Sequence, residues 1–265
     1  MKQNRMRYCL DNNLPTIGTR IQSTWPMITE LVGATGRYDY IEFSAEYAPF
    51  DQYDMENMAR AAEIYDMGSM IKVDYQNRFF VAQKAIASGF QSVLFCDHRT
   101  AEAVADTLDK LTPEHPDYGG HMGFVNRRWV SSRMSMVQSE YVKIATEPVK
   151  AFMIEKAEAV ANIDEICSVP GVDMIQFGPN DFALSSGFDM KDNMEKVRAA
   201  ERKCIEVALK HGVAPRAEMN TVDDLEYYLS LGVRHFNIGM QLRVLSNYYK
   251  EQGERAAELL KNAGL

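Results

Sequence analysis

Short β-rich runs alternate with longer segments of helical period along almost the whole chain, and this alternation limits the possible folds more than any other feature. Counting along the chain gives about eight strand–helix units in 265 residues, the number and total length of a (β/α)8 TIM barrel. The predicted strands cover residues 16–21, 38–43, 69–73, 92–96, 151–154, 174–177, 214–219 and 235–238.

The segments between these strands complete an α/β architecture. Predicted helices cover residues 26–34, 54–65, 78–88, 100–111, 157–167, 193–211 and 221–231, and helical material closes the chain. An open doubly wound sheet is the alternative, but no glycine-rich phosphate loop follows the first strand. We therefore expect one barrel domain over residues 1–265, with an irregular excursion at about 112–147 that has some helix of its own.

The charge balance and the cysteines exclude several classes of protein. The chain has 37 acidic and 29 basic residues and a formal net charge of −8, whereas proteins that bind nucleic-acid phosphates need clustered positive charge. Its four cysteines show no C-x-x-C pair and no disulfide spacing, which is typical of reduced cytoplasmic thiols. The polar start leads into no long apolar stretch, so we expect a cytoplasmic protein without a signal peptide or membrane span.

Reactive groups of a TIM barrel lie at the carboxyl ends of its strands. Glu155 directly follows the fifth predicted strand, and Asp181 follows the sixth after a Gly-Pro turn. Two carboxylates from adjacent strand ends suit a hard divalent cation such as Mg²⁺, which leaves its other positions to water and substrate oxygens. The simpler alternative is that Asp181 caps the next helix and Glu155 pairs with a lysine or arginine.

The same region resembles the signature of the HpcH/HpaI aldolase family, the metal-dependent class II pyruvate aldolases related to citrate lyase β and malyl-CoA lyase. The resemblance is carried by MIEKAEA at residues 153–159, NIDEI at 162–166, VPGVD at 169–173 and GPNDF at 178–182. Weaker supporting stretches lie at residues 17–18, 45–49 and 100–103, so the likeness runs from about residue 15 to 245.

This resemblance implies a lyase with a defined site. Glu155 and Asp181 would hold Mg²⁺, Mn²⁺ or Co²⁺, and the metal would chelate pyruvate or another 2-oxo acid and stabilise the enolate formed when a carbon–carbon bond breaks. The carboxylate of the oxo acid would be bound by the turn formed by Gly178, Pro179, Asn180 and Asp181, with an aldehyde as a second partner. Glu46 and Lys72, at the ends of strands two and three, are further candidates for substrate binding. The family also implies a homo-oligomer, a hexamer or trimer, in which the last helix swaps between partners.

Several family positions carry other residues here. The family's Glu-His-x-Pro after strand two is Glu46-Tyr47-Ala48-Pro49, which removes the acid/base histidine, and its aspartate partner corresponds to Ala87. The arginine that ends strand three aligns with Val73, beside Lys72. An arginine of the long loop and a glutamine before the metal glutamate correspond to Met122 and Met153. The metal half of the site is kept, and the usual proton-transfer half is missing.

Other residues are candidates for the missing roles. Asp97 and His98 end the fourth strand and form a possible acid–base pair, although a helix cap explains them equally well. Tyr47 would be the acid if its pKa were lowered or a relay served it. Arg20 would replace the lost arginine, while a structural Arg20–Glu218 or Arg216–Glu218 salt bridge is the alternative.

Three functions follow from these observations. The preferred one is a metal-dependent carbon–carbon lyase acting beside a 2-oxo acid. The second is a divergent relative with another enolate-type activity, such as a decarboxylase, hydrolase or transferase. The third is a non-catalytic protein that binds metal and oxo acid.

Overall fold

A closed barrel of eight parallel strands forms the centre of the computed structural model, which describes residues 3–125, 127–128 and 136–265. Each strand pairs with the next in chain order, and the first pairs with the last. The predicted TIM barrel is therefore confirmed. Its strands are β1 (Thr16–Ile21), β2 (Tyr40–Ser44), β3 (Gly68–Val73), β4 (Ser92–Phe95), β5 (Val149–Ile154), β6 (Met174–Phe177), β7 (Ala214–Met219) and β8 (His235–Met240).

Helices surround the barrel in the order that the periodicity predicts, with a few differences. The predicted helix over residues 157–167 is two helices that meet at Asn162, and the one over 221–231 begins as a short 3-10 turn. The helices are α1 (Arg5–Asp11), α2 (Pro26–Ala34), α3 (Gln52–Ile64), α4 (Arg78–Ser88), α5 (Ala101–Leu111), α6 (Gln138–Thr146), α7 (Ala157–Ala161), α8 (Ile163–Cys167), α9 (Pro179–Ser185), α10 (Met194–Lys210), α11 (Leu225–Ser230) and α12 (Gln241–Asn262).

The first helix closes the amino-terminal end of the barrel. Its N-cap Asn4 accepts a hydrogen bond from the Arg7 N–H, and the Asn4 amide donates to the Gln91 carbonyl at 2.8 Å. Met6 is fully buried among the barrel-interior residues Tyr40 and Met70. The barrel is therefore plugged at this end, and its open end is the carboxyl-terminal one.

Alternation along each strand separates two apolar layers. On β3, Met70 packs inside the barrel, while Ile71 and Val73 pack in the larger core between the barrel and the helices. Burying such a side chain contributes about 1.5–3 kcal/mol, so the register of each strand is strongly fixed. The same alternation turns Lys72 inward, toward the open end.

The long excursion is partly regular. A parallel bridge joins Pro113 and Met122, and α6 supplies the helix expected in this region. Arg127 binds the Glu56 carboxylate on α3, and Arg128 binds Glu63 on the same helix. Residues 126 and 129–135 of the expected excursion lie outside the described residues.

The last helix projects from the barrel with no buried residue. Its exposed large apolar side chains are Leu242, Val244, Leu245, Tyr248, Tyr249, Leu259 and Leu260. Among the described helices, none combines the length and the apolar character that crossing a membrane requires.

Candidate active site

Glu155 and Asp181 come together at the open end of the barrel. Glu155 follows β5 and is 2% exposed, and Asp181 lies in the first turn of α9, directly after β6. Gly178 makes the approach possible, because a Cβ there would lie 2.6 Å from the Cβ of Glu155. The pKa of Glu155 is raised to about 7, chiefly by burial; Lys72 and the Asp97 N–H oppose this rise, and the carboxylates of Asp181 and Asp97 add to it.

Lys72 supplies a positive charge beside Glu155. Its Nζ lies 2.5 Å from Oε2 of Glu46. Burial alone would lower the pKa of this ammonium, but Cys96, Glu155 and Glu46 raise it above its ordinary value. Val73, the residue expected to align with the family arginine, packs outside the barrel, whereas Lys72 points into its mouth.

A second lysine lies on the other side of the two carboxylates. Lys156 Nζ is 2.7 Å from Asp97 Oδ1 and 3.0 Å from Asp181 Oδ1. The Asp97 backbone has a φ of +59°, and its N–H donates to Oε1 of Glu155 at 2.9 Å. The structure therefore brings Asp97 to the site through its main chain and through its ion pair with Lys156.

Deeper in the barrel, a closed network of charges joins β1, β2 and β7. Arg20 donates to Glu42 at 3.0 Å and also binds Glu218, while Arg216 binds Glu42 and donates to the Tyr40 hydroxyl at 2.7 Å. The salt bridge expected as the simpler explanation of Arg20 is thus the one observed. Its partner Glu218 forms no salt bridge with Arg216 among the described contacts, and the replacement of the lost family arginine by Arg20 stays a prediction.

Glu42 stays ionised in this network. Its complete burial would raise the pKa, but Arg216, Arg20 and Lys72 outweigh burial and lower the pKa of Glu42 to about 2. The charges of the two arginines and two glutamates cancel, which is the condition for keeping such groups inside a barrel.

Tyr47 lies at the rim of the mouth, with 77% of the residue exposed. A hydrogen bond to the Glu46 carboxylate raises the pKa of its hydroxyl to about 12, so Tyr47 is protonated at neutral pH. The lowered pKa, one of the two routes by which Tyr47 was expected to act as an acid, is therefore absent, and the proton relay stays a prediction.

His98 does not face the site. The residue is 1% exposed, and its Nδ1 and Nε2 lie 2.8 Å from the Cys96 carbonyl and 2.7 Å from the Thr107 hydroxyl on α5. Its ring packs edge-on against Phe95 and Phe152 in the layer outside the barrel. The predicted acid–base pair of Asp97 and His98 is thus split, because the two side chains lie in different layers.

Acid is expected to destabilise the protein through His98. Burial lowers its pKa to about 4 from an ordinary value of 6.5, so its contribution to stability is present above about pH 6.5 and is lost as the pH falls toward 4. Between about pH 7 and pH 4, urea unfolding should show a loss of stability roughly 3 kcal/mol larger in the wild type than in His98→Gln. Equal losses in the two proteins would contradict a buried neutral His98.

The donor set at the mouth fits a small divalent cation. Two carboxylates from neighbouring strand ends are the ligands that Mg²⁺ and Mn²⁺ take from proteins, with water and substrate oxygens completing the coordination. The described residues contain no group of three or more His, Cys, Asp or Glu side chains arranged for a metal. The close approach of Gly178 to Glu155 and the negative charges of Glu155 and Asp181 nevertheless fit a cation that is held by two carboxylates.

Sequence reasoning missed Lys156, Glu42 and Gln176. Gln176 donates to Glu218 at 2.9 Å and also accepts from Arg216, so it belongs to the interior network.

A separate cavity of about 510 Å³ lies at the opposite end of the barrel, lined in part by Arg7, Asp173, Arg234 and His235. None of the candidate site residues lines it.

Comparisons with known proteins give one family. A hydroxypyruvate/pyruvate aldolase of Paraburkholderia phytofirmans is 26% identical over 185 residues, covering 67% of this chain and 68% of that protein. A 4-hydroxy-2-oxo-heptane-1,7-dioate aldolase of Escherichia coli is 22% identical over 258 residues, covering 97% and 94%.

Solved structures show the same fold. An HpcH/HpaI aldolase/citrate lyase family protein from Burkholderia cenocepacia superposes with a TM-score of 0.83 at 20% identity, covering 96% of this chain and 100% of that one. Protein CitE of Mycobacterium tuberculosis, in complex with magnesium and pyruvate, gives 0.53 at 11% identity, with 85% of each chain covered. The HpcH/HpaI aldolase/citrate lyase family matches residues 22–247, and the chain belongs to that family.

Proposed function

We propose that the protein is a divalent-metal-dependent lyase that cleaves or forms a carbon–carbon bond beside the carbonyl of a 2-oxo acid such as pyruvate. The observation that carries the proposal is the convergence of Glu155 and Asp181 at the open end of a barrel of this family. The names of the relatives, which are aldolases of hydroxypyruvate, pyruvate and an oxo-heptanedioate, support a 2-oxo acid as substrate.

Glu155 and Asp181 are the residues that would hold the cation, with Mg²⁺ and Mn²⁺ preferred and Co²⁺ as a further candidate. The bound cation would act as a Lewis acid toward the oxygen atoms of the oxo acid. Burial and the adjacent carboxylates raise the pKa of Glu155 and Lys72 opposes them only in part, so a bound cation would favour the ionised form of Glu155.

The turn after β6 would receive the substrate carboxylate. Gly178 is the N-cap of α9 and has no side chain, so it leaves the backbone N–H groups of Asn180 and Asp181 open to another acceptor. Pro179 occupies the first helical position and fixes the direction of the turn. The N–H groups of this turn lie next to Asp181. One oxo acid could therefore bind them through its carboxylate while it also binds the cation.

The roles of the family's missing polar groups would be taken by Lys72, Glu46 and Tyr47. The Lys72 ammonium provides positive charge on the side of Glu155, where it would polarise a substrate oxygen. Tyr47 lies close to Glu46 in the sequence and in space, so the two side chains would provide a donor and an acceptor for a proton at the position of the lost histidine.

Exchange of pyruvate methyl protons with solvent tests the lyase function. In D₂O with Mn²⁺ or Mg²⁺, we expect the protein to catalyse deuterium incorporation into the methyl group, followed by NMR, because removal of a methyl proton is the half of an aldol reaction that needs no aldehyde. Tyr47→Phe should slow the exchange by at least about tenfold and leave Mn²⁺ affinity unchanged. Mn²⁺ binding without exchange on any 2-oxo acid would instead identify a non-catalytic relative.

We also propose that α12 packs against a second copy of this chain in a hexamer or trimer. The support is the seven large apolar side chains that this 22-residue helix exposes, which a monomer would leave in water. By light scattering, Leu245→Glu/Leu259→Glu should dissociate the assembly, and the control Ser246→Glu on the same helix should not. A monomeric wild-type protein would exclude this role.

A further inference from the structure

Lys156 places an ammonium group at the carboxylates that the proposed metal would use. Its Nζ is 3.0 Å from Oδ1 of Asp181 and 2.7 Å from Oδ1 of Asp97, so one lysine bridges the two acids. The Lys156 side chain is 16% exposed and directly follows Glu155 in the chain. It therefore lies at the mouth of the barrel, with most of its side chain covered while it keeps both partners.

The charges around this lysine do not balance. Among the described residues, the carboxylates of Glu46, Asp97, Glu155 and Asp181 pair with two ammonium groups, those of Lys72 and Lys156. When all four acids are ionised, the cluster carries two excess negative charges, which one divalent cation would neutralise. The same cation would lie beside the Lys156 ammonium if Lys156 kept its bond to Asp181, and like charges at such short range repel strongly.

Asp97 is a second ion-pair partner for the Lys156 ammonium. Its main chain is held by the hydrogen bond from its N–H to Glu155 Oε1 at 2.9 Å. Its carboxylate is the nearer of the two partners of Lys156. An ammonium that releases Asp181 therefore keeps a fixed partner in Asp97.

We propose that Lys156 is an internal counter-ion that competes with the divalent cation for Asp181, and that Asp97 retains the displaced ammonium. The inference rests on the proposed metal site and adds a determinant of its affinity. Lys156 and Asp97 act here as positioning residues, since their effect on the cation passes through Asp181. The site would be partly neutralised before metal binds, and metal affinity would be lower than the two carboxylates alone allow.

The test measures the affinity of the full-length protein for Mn²⁺ alone, from the EPR signal of free Mn²⁺. Lys156→Met, which keeps the length of the side chain and removes its charge, should bind Mn²⁺ at least about tenfold more tightly than the wild type. Lys156→Arg, which keeps the charge, should bind within about threefold of the wild type. Lys110→Met removes the same charge from an exposed lysine on α5 and should leave affinity unchanged.

A double-mutant cycle tests the part played by Asp97. Asp97→Asn suits the positive φ of this position and should weaken Mn²⁺ binding in the wild-type background. In the Lys156→Met background the same change should weaken binding several-fold less, because no ammonium remains to be retained. Equal effects in both backgrounds would overturn the role of Asp97.

The outcomes separate this inference from the proposed function. If the wild type binds Mn²⁺ and Lys156→Met binds it no more tightly, competition by Lys156 is overturned and the metal site stands. If Lys156→Arg gains as much affinity as Lys156→Met, the charge is not the cause and the inference also fails. If no variant, including Lys156→Met, binds Mn²⁺, both the metal site and the inference are overturned.

Discussion

Glu155→Gln is expected to lose measurable Mn²⁺ binding and to lower metal-dependent turnover by at least about a hundredfold, a loss of about 2.7 kcal/mol of transition-state stabilisation. The reason is that the amide keeps the size of the side chain and an oxygen that accepts the Asp97 N–H, but removes the negative charge a hard cation requires. Calorimetric titration with Mn²⁺ and the pyruvate exchange rate measure the two effects.

A matched substitution separates charge at the site from charge elsewhere. Glu158→Gln removes a carboxylate three residues later on α7, where it pairs with the exposed Arg99, and it should leave both measurements unchanged. If Glu155→Gln retained wild-type Mn²⁺ affinity, Glu155 would not be a ligand.

Arg216→Met is expected to have the largest effect on stability, with a loss of about 3–5 kcal/mol in the free energy of unfolding. Arg216 and Glu42 are both fully buried at their side chains, and Arg216 also donates to the Tyr40 hydroxyl. Removing the guanidinium leaves the Glu42 carboxylate in the barrel with Arg20 as its remaining close cation. Urea unfolding at neutral pH measures the change.

The double variant Arg216→Met/Glu42→Gln shows whether the loss comes from an uncompensated charge. It should be less destabilised than the two single variants together, because neither buried charge is then left alone. A loss of less than about 1 kcal/mol in Arg216→Met would mean that the network does not hold the barrel together.

The barrel was predictable because its signals are local and repeated. Each strand is a short apolar run at a regular distance from the next, and helices of ordinary length lie between them. The short helices α1 and α9 were missed, since seven residues carry too little periodicity to distinguish a helix from a turn. The seven apolar positions of α12 are likewise visible in sequence, but whether they are covered depends on other copies of the chain.

Only those site residues that directly follow a strand could be placed from the sequence. Glu155 and Gly178 follow buried strands directly, so their meeting follows from strand order and register. His98 was placed at the mouth because it also follows a strand, but the positive φ of Asp97 breaks the alternation and sends the imidazole into the outer layer. Lys156 was missed because the partners of a long flexible side chain depend on three separate loops.

The central claim is that Glu155 and Asp181 hold a divalent cation that binds a 2-oxo acid. A crystal grown with Mn²⁺ and oxalate, an inert analogue of the enolate of pyruvate, tests it most directly through the anomalous scattering of manganese. The account predicts one strong anomalous peak about 2.0–2.2 Å from a carboxylate oxygen of each residue, with oxalate on its open face. A peak elsewhere, or oxalate bound at the mouth with no manganese between the two carboxylates, would contradict the account.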